Sequence, residues 1–189
     1  MPVPSNRVRI IGGRFRGRVV RFPAADGLRP TPDRVRETLF NWLGQDLEGQ
    51  ATLEPFAGTG ALSLEALSRG AARAVAVDRN AALVKALAAT ASAIGAHGLQ
   101  AVHADARDWL ARDRGTYDVV FCDPPFALDP WSWLLPAVAA RLAPGGLIYA
   151  ETGHVLVPPA GFTLVRRDKA GHVHYHLLAP ASQPDASPC

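Results

Sequence analysis

Ala51-Thr52-Leu53-Glu54, followed by Pro55-Phe56-Ala57-Gly58-Thr59-Gly60-Ala61-Leu62, reads as a buried strand, a glycine turn and the opening of a helix. Gly58 and Gly60 allow a tight turn and let a ligand come close to the backbone. The following helix would aim its free N–H groups and its positive dipole end at that ligand. An NAD-type fingerprint needs a third glycine, and Ser63 stands at that position. The loop therefore predicts a nucleotide-like cofactor without naming it.

Outward from this stretch, strands and helices alternate. Strands are expected at Ala51–Glu54, Ala74–Asp78, Gln100–His103, Tyr117–Cys122 and Leu147–Glu151, with helices between them at Gly60–Arg69, Ala81–Ile94, Ala106–Arg112 and Trp131–Leu142. Continuous apolar runs such as Val119-Val120-Phe121-Cys122 suit a parallel sheet covered on both faces. Phe162–Arg167 and Val173–Leu178 read as a closing antiparallel hairpin, which gives an open α/β sheet of seven strands, mostly parallel. Ligands bind such sheets beyond the carboxyl ends of the strands. Asp78 stands twenty positions after Gly58, where an acid can accept from both ribose hydroxyls. It could instead cap the helix opening at Ala81. Asp105 could bind an adenine amine, with the Ala106 N–H on a ring nitrogen, or cap the helix 106–112.

The fourth strand runs into Asp123-Pro124-Pro125-Phe126. The two prolines stiffen the turn and remove two backbone donors. The Asp123 carboxylate and the carbonyls of Asp123 or Pro124 then face one small space as acceptors only. An exocyclic NH₂ offers two donors to such a site, and Phe126 can stack on the base that carries it. Glycine loop and tetrapeptide together point to methylation of a base amine. In that chemistry the amine nitrogen attacks a sulfonium methyl in line, and Asp123 orients the amine and takes its proton or passes it to water.

The chain has 189 residues, enough for one full core, a formal charge of +3 and a pI near 9.2. Residues 1–40 hold nine arginines against three acids, while Lys85 and Lys169 are the only lysines. Val8, Ile10, Val19, Val20 and Phe22 flank Gly12-Gly13-Arg14-Phe15-Arg16-Gly17, a basic hairpin pattern that suits a polyanion. Asp26-Gly27 breaks structure; Thr31 before Pro32 is a helix start, and Val35, Leu39, Trp42 and Leu43 continue at helical spacing through Leu47. Neither Cys122 nor Cys189 has metal-site spacing, which predicts a reduced, cytoplasmic setting. No membrane span or export signal is read, and no membrane partner is expected.

The runs Arg29–Leu43, Phe56–Ala71 and Asp123–Phe126 resemble the RsmD family of bacterial 16S rRNA (guanine-N2)-methyltransferases, and the likeness spans residues 7–178. The resemblance implies a Rossmann-like class I methyltransferase fold, S-adenosylmethionine as methyl donor, and a guanine of 16S rRNA in the small ribosomal subunit or its assembly intermediate as target. It maps Glu54 through Gly60 (including Phe56, Ala57, Gly58 and Thr59), Asp78, Asp105 with Ala106, and Asp123 to cofactor contacts. Asp123, Pro124, Pro125 and Phe126 map to the target-base site. Glu54-Pro55 departs from the Asp-Leu more usual in the family, although the longer acid still reaches a cofactor amine, directly or through water.

RNA contacts are expected from Arg7, Arg14, Arg16, Arg18, Arg29, Arg34 and Arg36. The expected organisation is an RNA-facing hairpin-and-helix extension over 1–48, a catalytic domain over 49–179 and a disordered tail over 180–189, working as a monomer. His172, His174 and His176 share one face of the last strand; a solvent-facing strand is the reading, with a metal clip as its rival, and no metal is expected. Two other functions fit parts of the pattern: an N6-adenine DNA methyltransferase, which would usually need a separate duplex-reading segment, and a non-catalytic RNA-binding assembly factor, which would have lost the pocket acids or glycines.

Overall fold

The computed structural model describes residues 6–25, 28 and 30–181. The expectations placed on Asp26, Gly27, Arg29 and residues 182–189 lie outside the described residues.

Nine strands and five helices follow in chain order: β1 Arg7–Arg9, β2 Val19–Arg21, α1 Asp33–Trp42, β3 Ala51–Glu54, α2 Ala61–Ser68, β4 Arg73–Asp78, α3 Ala81–Ile94, β5 Leu99–His103, α4 Ala106–Arg112, β6 Tyr117–Cys122, α5 Trp131–Ala139, β7 Leu142–Thr152, β8 Phe162–Ala170 and β9 Val173–Pro180. The main sheet has the order β5-β4-β3-β6-β7-β9-β8. β3 to β7 run parallel, and β9 enters antiparallel between β7 and β8. This is the Rossmann-like methyltransferase sheet with its antiparallel carboxyl-terminal strands. The order reverses between β3 and β6, so the loops leaving these strands open a crevice there.

Alternate strand residues build two cores. Leu53, Val75, Val77, Val120, Cys122, Ile148 and Ala150 pack on one face with Leu110, Leu134 and Val138 of α4 and α5. Ala74, Ala76, Phe121 and Tyr149 pack on the other with α2, Leu83 and Leu87 of α3, and Leu39 and Phe40 of α1. Val8, Ile10, Phe15 and Val20 of the β1–β2 hairpin belong to that second core. All eight residues of α2 are buried, because the helix lies between the sheet and the amino-terminal extension.

Several boundaries differ from the sequence reading. α1 begins at Asp33 without a side-chain cap, so Thr31 does not start it; the Thr31 carbonyl accepts from the buried Arg36 side chain instead. The helix stops at Trp42 rather than Leu47 because Gly44 and Gln45 take left-handed backbone, with φ of 88° and 64°. α5 stops at Ala139, three residues short of the expected end, and β7 starts already at Leu142. β9 extends through Pro180, into the stretch expected to be disordered. Among the described residues no helix is long and apolar enough to cross a membrane.

Candidate active site

The strand ends gather the acids. Glu54 closes β3 and is buried; its Oε2 accepts from the Ser63 N–H at 3.0 Å and from the Ser63 hydroxyl at 2.5 Å, which ties it to the first turns of α2. Asp78 closes β4 half-buried, and its Oδ2 accepts from Gly58 N at 2.7 Å and its Oδ1 from Asn80 N at 2.8 Å. Asp78 is not the cap of α3. Asn80 caps it, accepting from Ala82 N and Leu83 N. Asp105 does cap α4, its Oδ1 accepting from Arg107 N at 2.9 Å and Asp108 N at 3.2 Å, and Ala106 opens that helix, buried. The rival reading of Asp105 thus holds for one carboxylate oxygen, and Oδ2 is left facing outward from an exposed residue.

The glycine loop follows from backbone sterics. Gly58 and Gly60 have φ of 51° and 69°, which an L side chain rarely adopts. A β-carbon at Gly60 would also lie 2.4 Å from the Leu87 methyls, so this glycine seats α2 against α3. Between them Thr59 is buried and its hydroxyl accepts from Ala61 N at 3.3 Å. Ala57 N donates to Val77 O at 2.9 Å, and Phe56 leans on the α4–α5 core.

Asp123-Pro124-Pro125-Phe126 leaves β6 beside the end of β7. Asp123 is half-buried, Pro124 is buried, and the Pro125 carbonyl is taken by Leu128 N at 2.9 Å. No hydrogen bond among the described residues uses the Asp123 carboxylate. Phe126 is 48% exposed. A β-carbon at Gly153 would lie 3.2 Å from Phe126 Cδ2, so the missing side chain at 153 gives the ring its room. Pro124, Phe126, Trp131, Glu151, Gly153 and His154 line a narrow crevice. A wider cleft of about 510 Å³ lies at the far end of α2 among Arg14, Asp46, Glu48 and Arg69; its charges are mixed and it holds none of the strand-end acids.

Sequence reasoning passed over Glu151. It is the penultimate residue of β7, 3% exposed, with the Tyr149 hydroxyl donating to its Oε1 at 2.8 Å. Its position at the end of a parallel strand was the available signal. Burial and mutual repulsion hold the protons on these acids. Glu54 is pushed up to about 8, chiefly by burial, and Asp123 well above the ordinary carboxylate range, by burial and then by Glu151 and Glu54. Glu151 is also raised by burial, against the lowering effect of the bond from Tyr149.

The arginines divide. Arg7, Arg14, Arg16, Arg18 and Arg34 are exposed. The 7↔21 and 9↔19 register puts Arg9 and Arg21 on the same outer face as Arg7, as the period-2 pattern of the two strands implies. Arg36 is the correction: it is 0% exposed and cannot reach a phosphate. It bonds Glu65 at 3.2 Å, Asp33 at 2.6 Å, and the carbonyls of Arg9 and Thr31. Glu65 in turn accepts from Ile11 N at 2.9 Å and Gly12 N at 2.7 Å. The histidines also divide. His172 is exposed, as read, but His176 is 1% exposed: its Nε2 accepts from Leu156 N at 3.2 Å, and burial lowers its pKa. Among the described residues no cluster of three or more His, Cys, Asp or Glu could hold a metal.

Residues 8–179 match the family model described as Conserved hypothetical protein 95. Ribosomal RNA small subunit methyltransferase D of Escherichia coli K12 is 39% identical over 184 residues, covering 95% of this chain and 93% of that protein. The chain belongs to this methyltransferase family. A second member, from Haemophilus influenzae, is 35% identical over 184 residues, 93% of this chain and 95% of its own. The solved structure of yhhF from Escherichia coli, described as a methyltransferase candidate, superposes with a TM-score of 0.85 at 36% identity, covering 94% of this chain and 99% of that one. A protein of the same fold from Thermus thermophilus gives 0.75 at 31% identity, covering 90% of this chain and 98% of its own. Like the family members from Escherichia coli and Haemophilus influenzae, the present chain is a methyltransferase.

Proposed function

We propose that this methyltransferase moves a methyl group from S-adenosylmethionine to the exocyclic N2 of a guanine in 16S rRNA, acting as a monomer on the small ribosomal subunit or its assembly intermediate. The carrying observation is electrostatic. Glu54, Asp123 and Glu151 crowd the ends of β3, β6 and β7, and among the described residues none has a cationic side chain as ion-pair partner. Buried carboxylates without a counter-charge are costly. A cofactor carrying a sulfonium and an ammonium supplies the missing positive charge, and the donor set fits it.

S-adenosylmethionine, when bound, supplies an electrophilic methyl and a neutral leaving thioether. The chain does the rest. The Asp78 carboxylate, held by the Gly58 and Asn80 amides, presents acceptors to ribose hydroxyls. Glu54 would hold the cofactor's amine, and Asp105 with the start of α4 would hold the adenine. Asp123 and the Pro124 carbonyl would accept the two hydrogens of the target amine and so turn its lone pair toward the methyl donor. Asp123, or water beside it, would take the proton that the amine sheds on methylation. Phe126, open to solvent at the crevice mouth, stacks on the base. The exposed arginines of the hairpin and Arg34 grip phosphates, giving affinity with little sequence information.

The names of the family members, which give the small-subunit RNA as their substrate, favour this target. Nucleoside mass spectrometry of small-subunit rRNA from cells lacking the protein tests it. The expected result is loss of one N2-methylguanine, restored by the purified protein and S-adenosylmethionine in vitro. Unchanged N2-methylguanine with lost N6-methyladenine in DNA would establish the other amine chemistry instead.

A further inference from the structure

We propose that Glu151 is a positioning residue of the methyl-transfer site: its carboxylate, fixed by the Tyr149 hydroxyl beside Asp123, sets the charge that Asp123 faces while it holds the reacting amine. The inference rests on the methyl-transfer reading given above.

Placement carries it. β6 and β7 run parallel with Cys122 opposite Ala150, so Asp123, the first residue after β6, stands beside Glu151 of β7, which is still in the sheet opposite Tyr175 of β9. Glu151 lines the same crevice as Pro124 and Phe126, yet it is nearly solvent-free. The Tyr149 hydroxyl is 2.8 Å from Oε1, and the Tyr149 ring is itself wedged between Phe121 and Tyr175. That donor fixes the carboxylate beside the base-site aspartate.

Burial raises Glu151, and the Tyr149 donor opposes that rise by favouring its ionised form. Once ionised, Glu151 disfavours ionisation of Asp123. The groups facing Asp123 are Glu54 from β3, Cys122 from its own strand, and Glu151 and Tyr149 from β7; Tyr175 of β9 faces Tyr149. No cation offsets them among the described residues. Asp123 must be ionised to accept from the amine and to take its proton, so methyl transfer falls as pH drops through the Asp123 pKa. Removing the Glu151 charge lets Asp123 ionise at lower pH.

The test is the pH profile of kcat for methyl transfer to small-subunit particles by the full-length parent, Glu151→Gln, Glu151→Asp and Tyr149→Phe. The acid limb of Glu151→Gln should move to lower pH by about one pH unit or more. Glu151→Asp, which keeps the charge, should stay near the parent, and Tyr149→Phe, which removes the donor, should move the same way as Glu151→Gln by less. S-adenosylmethionine affinity by calorimetry should hold in Glu151→Asp and Tyr149→Phe. An equal rate loss at every pH with no movement of the limb would reduce Glu151 to a structural acid and overturn the proposal. If Glu151→Gln fails to fold, Tyr149→Phe decides by the same criterion. A parent inactive on the particle at every pH overturns the proposed function; an active parent with unmoved variants overturns this inference alone.

Discussion

The Asp78 carboxylate accepts the Gly58 amide at 2.7 Å, so the end of β4 holds the turn that follows β3. One side chain thereby shapes the glycine loop and stands where ribose hydroxyls would arrive. Asp78→Ala removes both functions. S-adenosylmethionine affinity should fall by about 1.5–3 kcal/mol, the worth of a hydrogen bond to a charged group. RNA affinity should hardly change. Calorimetry with each ligand checks both, and unaltered cofactor binding would limit Asp78 to loop support.

Asp123→Ala should abolish methyl transfer while the protein stays folded, since the variant discards a desolvated, poorly compensated acid. Phe126→Ala should cost about 1–3 kcal/mol of base stacking, and Phe126→Tyr should be tolerated because the ring face does the work. Single-turnover rates and circular dichroism separate chemistry from folding. A folded Asp123→Ala with parental turnover would remove Asp123 from the mechanism.

Glu54 gives a pH signature in the cofactor-free protein. Unfolded, it ionises near 4.5; folded, it keeps its proton to about 8. The folded state therefore binds more protons, and stability is lost as pH rises from 4.5 to 8, with no further loss from this group above 8. The span is on the order of a few kcal/mol. Glu54→Gln should flatten the dependence and melt higher than the parent at about pH 8. The slope should shrink rather than vanish, because Asp123 and Glu151 shift in the same direction. Thermal melts from about pH 5 to about pH 8.5 measure it, and identical slopes in parent and variant would count against it.

The arginines should separate into two kinds. Neutralising Arg14, Arg16 and Arg18 together should weaken RNA binding and reduce the log–log salt slope by about 0.9 per lost duplex contact, or about 0.7 on single strands. Arg36→Ala should instead destabilise the fold, because it removes one of the two arginines paired with buried Glu65 and leaves the carbonyls of Arg9 and Thr31 without their donor. Binding titrations over salt and denaturant melts distinguish the two, and an unchanged slope in the triple variant would deny the hairpin its phosphate role.

Much of the sheet was legible because it follows from local pattern. Apolar runs such as Val119–Cys122 and the strand–helix alternation decide a parallel sheet, and positions just after strands point to Asp78 and Asp123. What was not legible depends on distant partners. Arg36 looks like any other arginine of a basic arm until Glu65, 29 residues later in the chain, is folded against it. Thr31 carries a capping sequence, yet α1 opens at Asp33 without its hydroxyl, and its carbonyl serves Arg36. His176 shares a face with exposed His172, but the loop after β7 covers it and donates Leu156 N to it. Glu151 had no motif around it, and only the pairing of β6 with β7 brings it beside Asp123.

The docking of the hairpin on Glu65 has a consequence for synthesis. The acceptor of Ile11 N lies 54 residues downstream, so the first-made segment has no seat when it emerges. At roughly 5–20 residues per second the wait is about 3–11 s, longer still while Glu65 remains in the ribosomal tunnel. During that interval Val8, Ile10, Phe15 and Val20, all core residues in the finished protein, are in water behind a row of arginines. The extension cannot mature as an independent module, and a chain truncated before α2 would leave its apolar side uncovered.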